Sequence, residues 1–164
     1  MKTLTHTALG GLAAVLISIG AAAAKPTSEA RPAHAFPRLS TTDGAPVEMA
    51  PHPGSPADGI ARRLMAREIE HAKASGPAPV VLVAMARLND QDELLFVQLQ
   101  SSSECGSAGC SIMAFKYVDG DWVRTVDTVG GMVRIATSRH RGMPDLIVNH
   151  SRLVWNGARY VDLG

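Results

Sequence analysis

The sequence predicts a mainly β protein: a small antiparallel β-meander, closed as a sandwich or partly closed barrel, with one N-terminal helix packed on it. Three observations lead there. Beyond Pro79 the chain is a succession of short apolar runs separated by Gly-, Asn- and Asp-containing turns. Helical periodicity is confined to the stretch between Ser55 and Gly76. Everything before that stretch lacks the pattern of a packed element.

The first segment, residues 1–24, has a basic start at Lys2, an apolar run from Ala8 to Ala24, and the small residues Ala22-Ala23-Ala24 before Lys25. This is the tripartite pattern of a cleavable export signal, with cleavage expected after Ala24. The run is shorter than the ~20 residues that span a bilayer, so an uncleaved anchor is the weaker reading. The expected location is the bacterial periplasm or the medium outside, with no stable membrane span once the signal is removed. Residues 25–55 then carry Pro26, Pro32, Pro37, Pro46, Pro51 and Pro53 among Ala, Ser and Thr. Such a composition reads as a disordered tether, because it buries too little apolar surface to offset its ordering entropy.

The helix begins at Ser55, a good N-cap, followed by Pro56 at the first helical position and Asp58 three residues after the cap. Ile60, Ala61, Leu64, Met65, Ile69 and Ala72 recur on one face; Arg62, Arg63, Arg67, Glu70 and Lys73 fall largely on the other, with Arg63 and Arg67 near enough to pair with Glu70. Gly76-Pro77 ends it. Strands are expected at Val80–Leu88, Leu94–Gln100, Ser111–Val118, Trp122–Val129, Met132–Thr137, Asp145–His150, Arg152–Trp155 and Ala158–Leu163. Asp119-Gly120-Asp121 and Asn156-Gly157 mark tight hairpins. A signal, a tether and residues 56–164 as one β domain complete the organisation.

Composition narrows the function. The chain has 16 Lys+Arg against 15 Asp+Glu, and removing Lys2 with the leader leaves it formally neutral. No long-range field gathers phosphates, which argues against a nucleic-acid binder. Aromatic residues make up 4%, few for a stacking surface, and Trp122 and Trp155 read as packing residues. The two Cys cannot form a zinc site without paired His, and no His-x₃₋₅-His occurs. Asn89-Asp90-Gln91-Asp92-Glu93 departs from a calcium loop at Arg87 and Gln91 and has no Gly at the sharp turn. The expectation is therefore no metal and no cofactor.

Two stretches stand out. Cys105-Gly106-Ser107-Ala108-Gly109-Cys110 suits a structural disulfide in an oxidising compartment; a redox-active pair normally has Cys-x-x-Cys at a helix N-terminus. Arg139-His140-Arg141-Gly142-Met143-Pro144-Asp145 reads as a polar loop between strands, and it supplies the candidate binding residues Arg139, His140, Arg141 and Asp145. His140 with Asp145 also has the residue types of an acid–base pair, with Ser138 or Ser151 as nucleophile, although no G-x-S-x-G element accompanies them.

The order of strand, Asx-rich turn, Cys-Gly-x-x-Gly-Cys, aromatic hairpins, Arg-His-x-Gly-x-x-Asp-Leu at 139–146 and Trp-Asn-Gly-x-x-Tyr at 155–160 resembles a group of small exported bacterial proteins. Their β segment is similar to a worn-down unit of the FG-GAP propeller repeats. The likeness covers residues 80–162 and implies a β fold and an exported location, without an activity. The leading functional expectation is a non-enzymatic binding module for an unknown envelope or secreted protein, of an inhibitor or immunity type. A small periplasmic hydrolase using His140 and Asp145, and a structural envelope component, are the alternatives.

Overall fold

The computed structural model describes residues 44–88 and 91–163. The expected signal peptide and residues 25–43 of the expected tether lie outside them, as do Asn89 and Asp90 of the Asx-rich turn. Among the described residues the elements run β1 (Ala45–Pro46), α1 (Pro56–Leu64), α2 (Ala66–Ala74), β2 (Val80–Arg87), β3 (Glu93–Gln100), β4 (Cys105–Gly106), β5 (Gly109–Val118), β6 (Asp121–Gly130), β7 (Val133–His140), β8 (Met143–Val148), β9 (Ser151–Trp155) and β10 (Tyr160–Asp162).

The strands form two antiparallel meanders. One sheet has the order β2-β3-β5-β6, with the short β4 continuing the β3 side of β5; the other has the order β1-β7-β8-β9-β10. The chain passes from one to the other at Gly130-Gly131-Met132. Neither sheet closes into a barrel. One core lies between the sheets, built from Leu94, Phe96, Ile112 and Ala114 of the first and Val133, Ile135, Leu146 and Leu153 of the second. A second core lies on the opposite face of the first sheet, where Leu95, Val97, Leu99, Met113 and Phe115 meet Ile60, Ala61, Met65 and Ile69 of the helices. The central strand β3 is thus covered on both faces, which explains its continuous apolar sequence.

The predicted single helix is two short ones. Met65, fully buried in the second core, leaves helical geometry with φ −104° and ψ 17°. The helical hydrogen bonds continue across it, Met65 N–H to Ala61 O and Ile69 N–H to Met65 O, both 2.9 Å. The cap is as expected: the Ser55 hydroxyl accepts from Asp58 N–H at 3.1 Å, and Asp58 reaches back to Gly54 N–H at 3.1 Å. Asp58 also receives Arg62 Nε at 2.9 Å, and this bond leads the effects that hold its carboxyl below the usual range against the opposing effect of burial. Glu70 pairs with Lys73 at 2.7 Å, in place of the expected Arg63 or Arg67.

Order also starts earlier than Ser55. Ala45 and Pro46 pair with Ile135 and Arg134 of β7. Val47 is buried in the inter-sheet core, and Ala50 exchanges backbone hydrogen bonds with Val83 of β2 at 2.9 and 3.2 Å. Residues 45–50 therefore bridge the edges of both sheets, and the expected tether gives up its last part to the domain.

Cys105 and Cys110 form the disulfide, as opposed residues of the β4–β5 hairpin with Cα atoms 3.9 Å apart. Gly109 has φ +119°, and a Cβ there would stand 2.2 Å from the Gly130 carbonyl carbon. The hairpin can lie against the inter-sheet crossover only because that residue is glycine. Asn149, at φ 53° in the β8–β9 turn, ties the two together: its Oδ1 accepts from Gly131 N–H at 2.9 Å and Met132 N–H at 3.3 Å. Its Nδ2 donates to Ala108 O at 3.1 Å.

Candidate functional site

Arg139–Asp145 is not a loop. Arg139 and His140 end β7, Met143, Pro144 and Asp145 open β8, and only Arg141-Gly142 turns the chain. His140 pairs with Met143 across the turn. Both turn residues have positive φ, 51° and 84°, the geometry of the two-residue hairpin whose twist matches the flanking strands. The Arg139 guanidinium fastens it by donating to Gly142 O at 2.9 Å.

The register of β7 against β8 slips between Ile135 and Arg139. Two extra residues of β7 are accommodated in this irregularity, which brings Ser138 and His140 over Asp145. Asp145 alternates with the core residue Leu146, so it points away from the inter-sheet core, yet it is 0% exposed because these side chains roof it. Ser138 Oγ donates to its Oδ2 at 2.5 Å. His140 Nδ1 donates to its Oδ1 at 2.6 Å. Arg152, from the neighbouring β9, places Nη1 at 3.6 Å from Oδ2 and donates to Ser138 Oγ at 3.3 Å. Burial pushes the Asp145 carboxyl up, but the Ser138 and His140 bonds and the nearby charges outweigh it and hold the group below its ordinary value. It is an ionised, fully bonded anchor.

The same end of the sheet carries the β9–β10 turn. Asn156 Oδ1 accepts from Ala158 and Arg159 N–H, each at 2.9 Å. A Cβ on Gly157 would stand 3.2 Å from Arg141 Nη1, so the Arg141 guanidinium lies against this second turn. Arg139, His140, Arg141, Arg152 and Arg159 are all exposed. This end of the sheet thus exposes four guanidiniums and an imidazole, while the Asp145 carboxylate that Ser138, His140 and Arg152 approach is itself hidden from solvent. Beneath them Tyr160 donates its hydroxyl to Pro144 O at 2.9 Å, and burial foremost, with Asp145 adding to it, drives its ionisation well above the ordinary range.

The arrangement selects among chemistries. Ser138 and His140 each bond Asp145 and do not bond each other, so the imidazole is not placed to deprotonate the Ser138 hydroxyl. Ser151 pairs with Val148 at the other end of β8. Neither Ser138 nor Ser151 is thus placed as a nucleophile activated by His140. What the cluster presents is a set of exposed donors: His140 is 47% exposed, Arg139 is fastened to Gly142 O and Arg152 to Ser138 Oγ.

No family model, curated protein or solved structure matches this chain. The site's meaning rests on its own chemistry.

All four sequence candidates, Arg139, His140, Arg141 and Asp145, come together here. Arg152 and Arg159 escaped the sequence reading. Each arrives from a strand or turn distant in sequence, and only the β8–β9 register, Ile147 opposite Arg152, would have placed one of them. The acidic turn offers no comparable group: Asp92 pairs with Lys116 Nζ at 2.8 Å and the buried Glu93 lies 3.7 Å from Arg87. Among the described residues no helix is long and apolar enough to cross a membrane.

Proposed function

We propose that the protein is an exported, non-enzymatic binding module whose contact surface is the β7–β8 hairpin tip with the adjoining β9–β10 turn, and whose partner presents a carboxylate-rich protein surface. The observation that carries this reading is that Arg139, His140, Arg141, Arg152 and Arg159 are exposed at one end of the sheet, beside an Asp145 whose oxygens are already used by Ser138 and His140. Exposed guanidiniums suit bidentate pairing with carboxylates. Such charges favour fast association and select against basic partners. The disulfide supports an oxidising compartment, which fits an exported chain.

The test is affinity capture from envelope extract with two baits, the disulfide-intact protein and its Arg139→Ala/His140→Ala/Arg141→Ala variant, followed by titration of the purified pair. The reading predicts a partner with an acidic face whose affinity falls at least tenfold with the variant and declines with added salt. Equal affinity for both baits would move the contact elsewhere.

A further inference from the structure

A second site lies on the opposite side of the first sheet, between α1 and the tip of the β5–β6 hairpin. An open groove of 410 Å³ is lined by Ile60 and Leu64 of the helix, by Tyr117 and Trp122 of the hairpin, and by Arg63 and Asp121 at its rim, with Gly120 at the turn. Tyr117 and Trp122 are direct cross-strand partners. Their ring centroids stand 5.1 Å apart at 59°, so they make a tilted aromatic corner. Tyr117, Trp122 and Leu64 are half-buried and Arg63 and Asp121 exposed. The volume falls in the lower part of the range of small-ligand pockets, about 300–1,000 Å³. Of the chain's two tryptophans one is here, in a protein with few aromatic residues.

The lining chemistry eliminates most ligand classes. A purely apolar ligand would strip water from both the guanidinium and the carboxylate without replacing their hydrogen bonds. An anion meets Asp121, and a cation meets Arg63. A neutral polyhydroxylated ring satisfies every group. Its hydroxyls donate to the Asp121 carboxylate and accept from the Arg63 guanidinium, while its C–H face rests on the aromatic corner. Among the described residues neither Arg63 nor Asp121 is engaged in an ion pair with the other or with a neighbour, so both rim groups are open to a ligand. We infer that this groove is a saccharide-binding site that takes a neutral hexose-type ring. It is separate from the arginine-rich end of the other sheet and does not depend on that assignment.

The experiment is a ¹H–¹⁵N titration of the disulfide-intact protein with maltotriose and with triacetylchitotriose, reading the two indole N–H signals, assigned with a Trp155→Phe variant. The inference predicts saturable movement of the Trp122 signal with at least one sugar, at a dissociation constant of about a millimolar, with Trp155 unmoved. It further predicts at least fivefold weaker binding in Arg63→Gln and in Asp121→Asn, both surface changes that leave the spectrum otherwise folded. No movement of Trp122 with either sugar overturns the inference. So does binding that both rim variants leave intact, or a Trp122 response to glycine with none to sugars, which would make the groove a zwitterion site.

Discussion

Replacing Asp145 by alanine removes the anchor of the arginine-rich end, and the size of the effect follows from its contacts. Two hydrogen bonds to an ionised acceptor are lost, from Ser138 at 2.5 Å and His140 at 2.6 Å, each worth ~1.5–3 kcal/mol. Arg152 loses its counter-charge at 3.6 Å, a smaller loss because the guanidinium is half-exposed. The relief of desolvating a buried carboxylate offsets part of this. The net expectation is a destabilisation of about 2–4 kcal/mol, which for a domain of this size lowers Tm by about 8–15 °C. Urea and thermal unfolding followed by tryptophan fluorescence at pH 7 measure it. The pH dependence has a definite sign. The folded carboxyl sits below its unfolded value, so its contribution is complete above the unfolded value of about 3.9 and fades as pH falls through the folded one. The wild type should therefore lose stability more steeply than Asp145→Asn in that acid window, and the two curves should run parallel near neutrality. An alanine variant with unchanged Tm, or parallel curves down to acid pH, would refute the idea that Asp145 is an ionised, bonded anchor.

Other expectations are simpler. Asn149→Ala loses three hydrogen bonds at the sheet crossover and should cost about 1–2 kcal/mol, with faster amide exchange at Gly131 and Met132 as the local signature. Gly109→Ala drives a Cβ to 2.2 Å from backbone; thiol titration should find an increased free-thiol fraction because the hairpin no longer seats. The double change Cys105→Ser/Cys110→Ser opens a loop of sequence separation 5, so it should lower stability by only about 2 kcal/mol in chemical denaturation and leave a folded protein. Glu68→Ala removes the 2.5 Å partner of Arg124, which also donates to Asp127 at 3.1 Å and stacks 5.5 Å from the Phe115 ring; a loss of about 1 kcal/mol is expected, together with increased exchange in α2.

Strand positions were legible because turn chemistry announces them. Asp119-Gly120, Gly130-Gly131 and Asn156-Gly157 each fall at or beside a reversal of the chain, and the apolar runs expected from Val80 to Val129 are β2, β3, β5 and β6 with ends displaced by a residue or two. The Cys pairing was equally readable from its short glycine-bearing loop. The tight turn at Arg141-Gly142 is not visible in the sequence. Arginine does not advertise positive φ as asparagine or aspartate does, so the segment around it read as a longer loop and not as a hairpin. The helix break at Met65 was hidden because its apolar spacing is unbroken. The early start of order at Ala45 was hidden because a two-residue edge strand beside prolines resembles a tether. Candidate residues were found where they are contiguous, at 139–145. Arg152 and Arg159, like the groove formed by Arg63, Tyr117, Asp121 and Trp122, are assembled by strand register and by helix-on-sheet packing, which one-dimensional spacing does not encode.

Site-specific photo-crosslinking in cells that express the full chain tests the arginine-rich contact surface, with the reactive residue placed at Arg141, at Arg159 and, as a control on the far edge, at Val80. One shared acidic protein adduct is expected from Arg141 and Arg159 and none from Val80. An adduct from Val80 alone would contradict it.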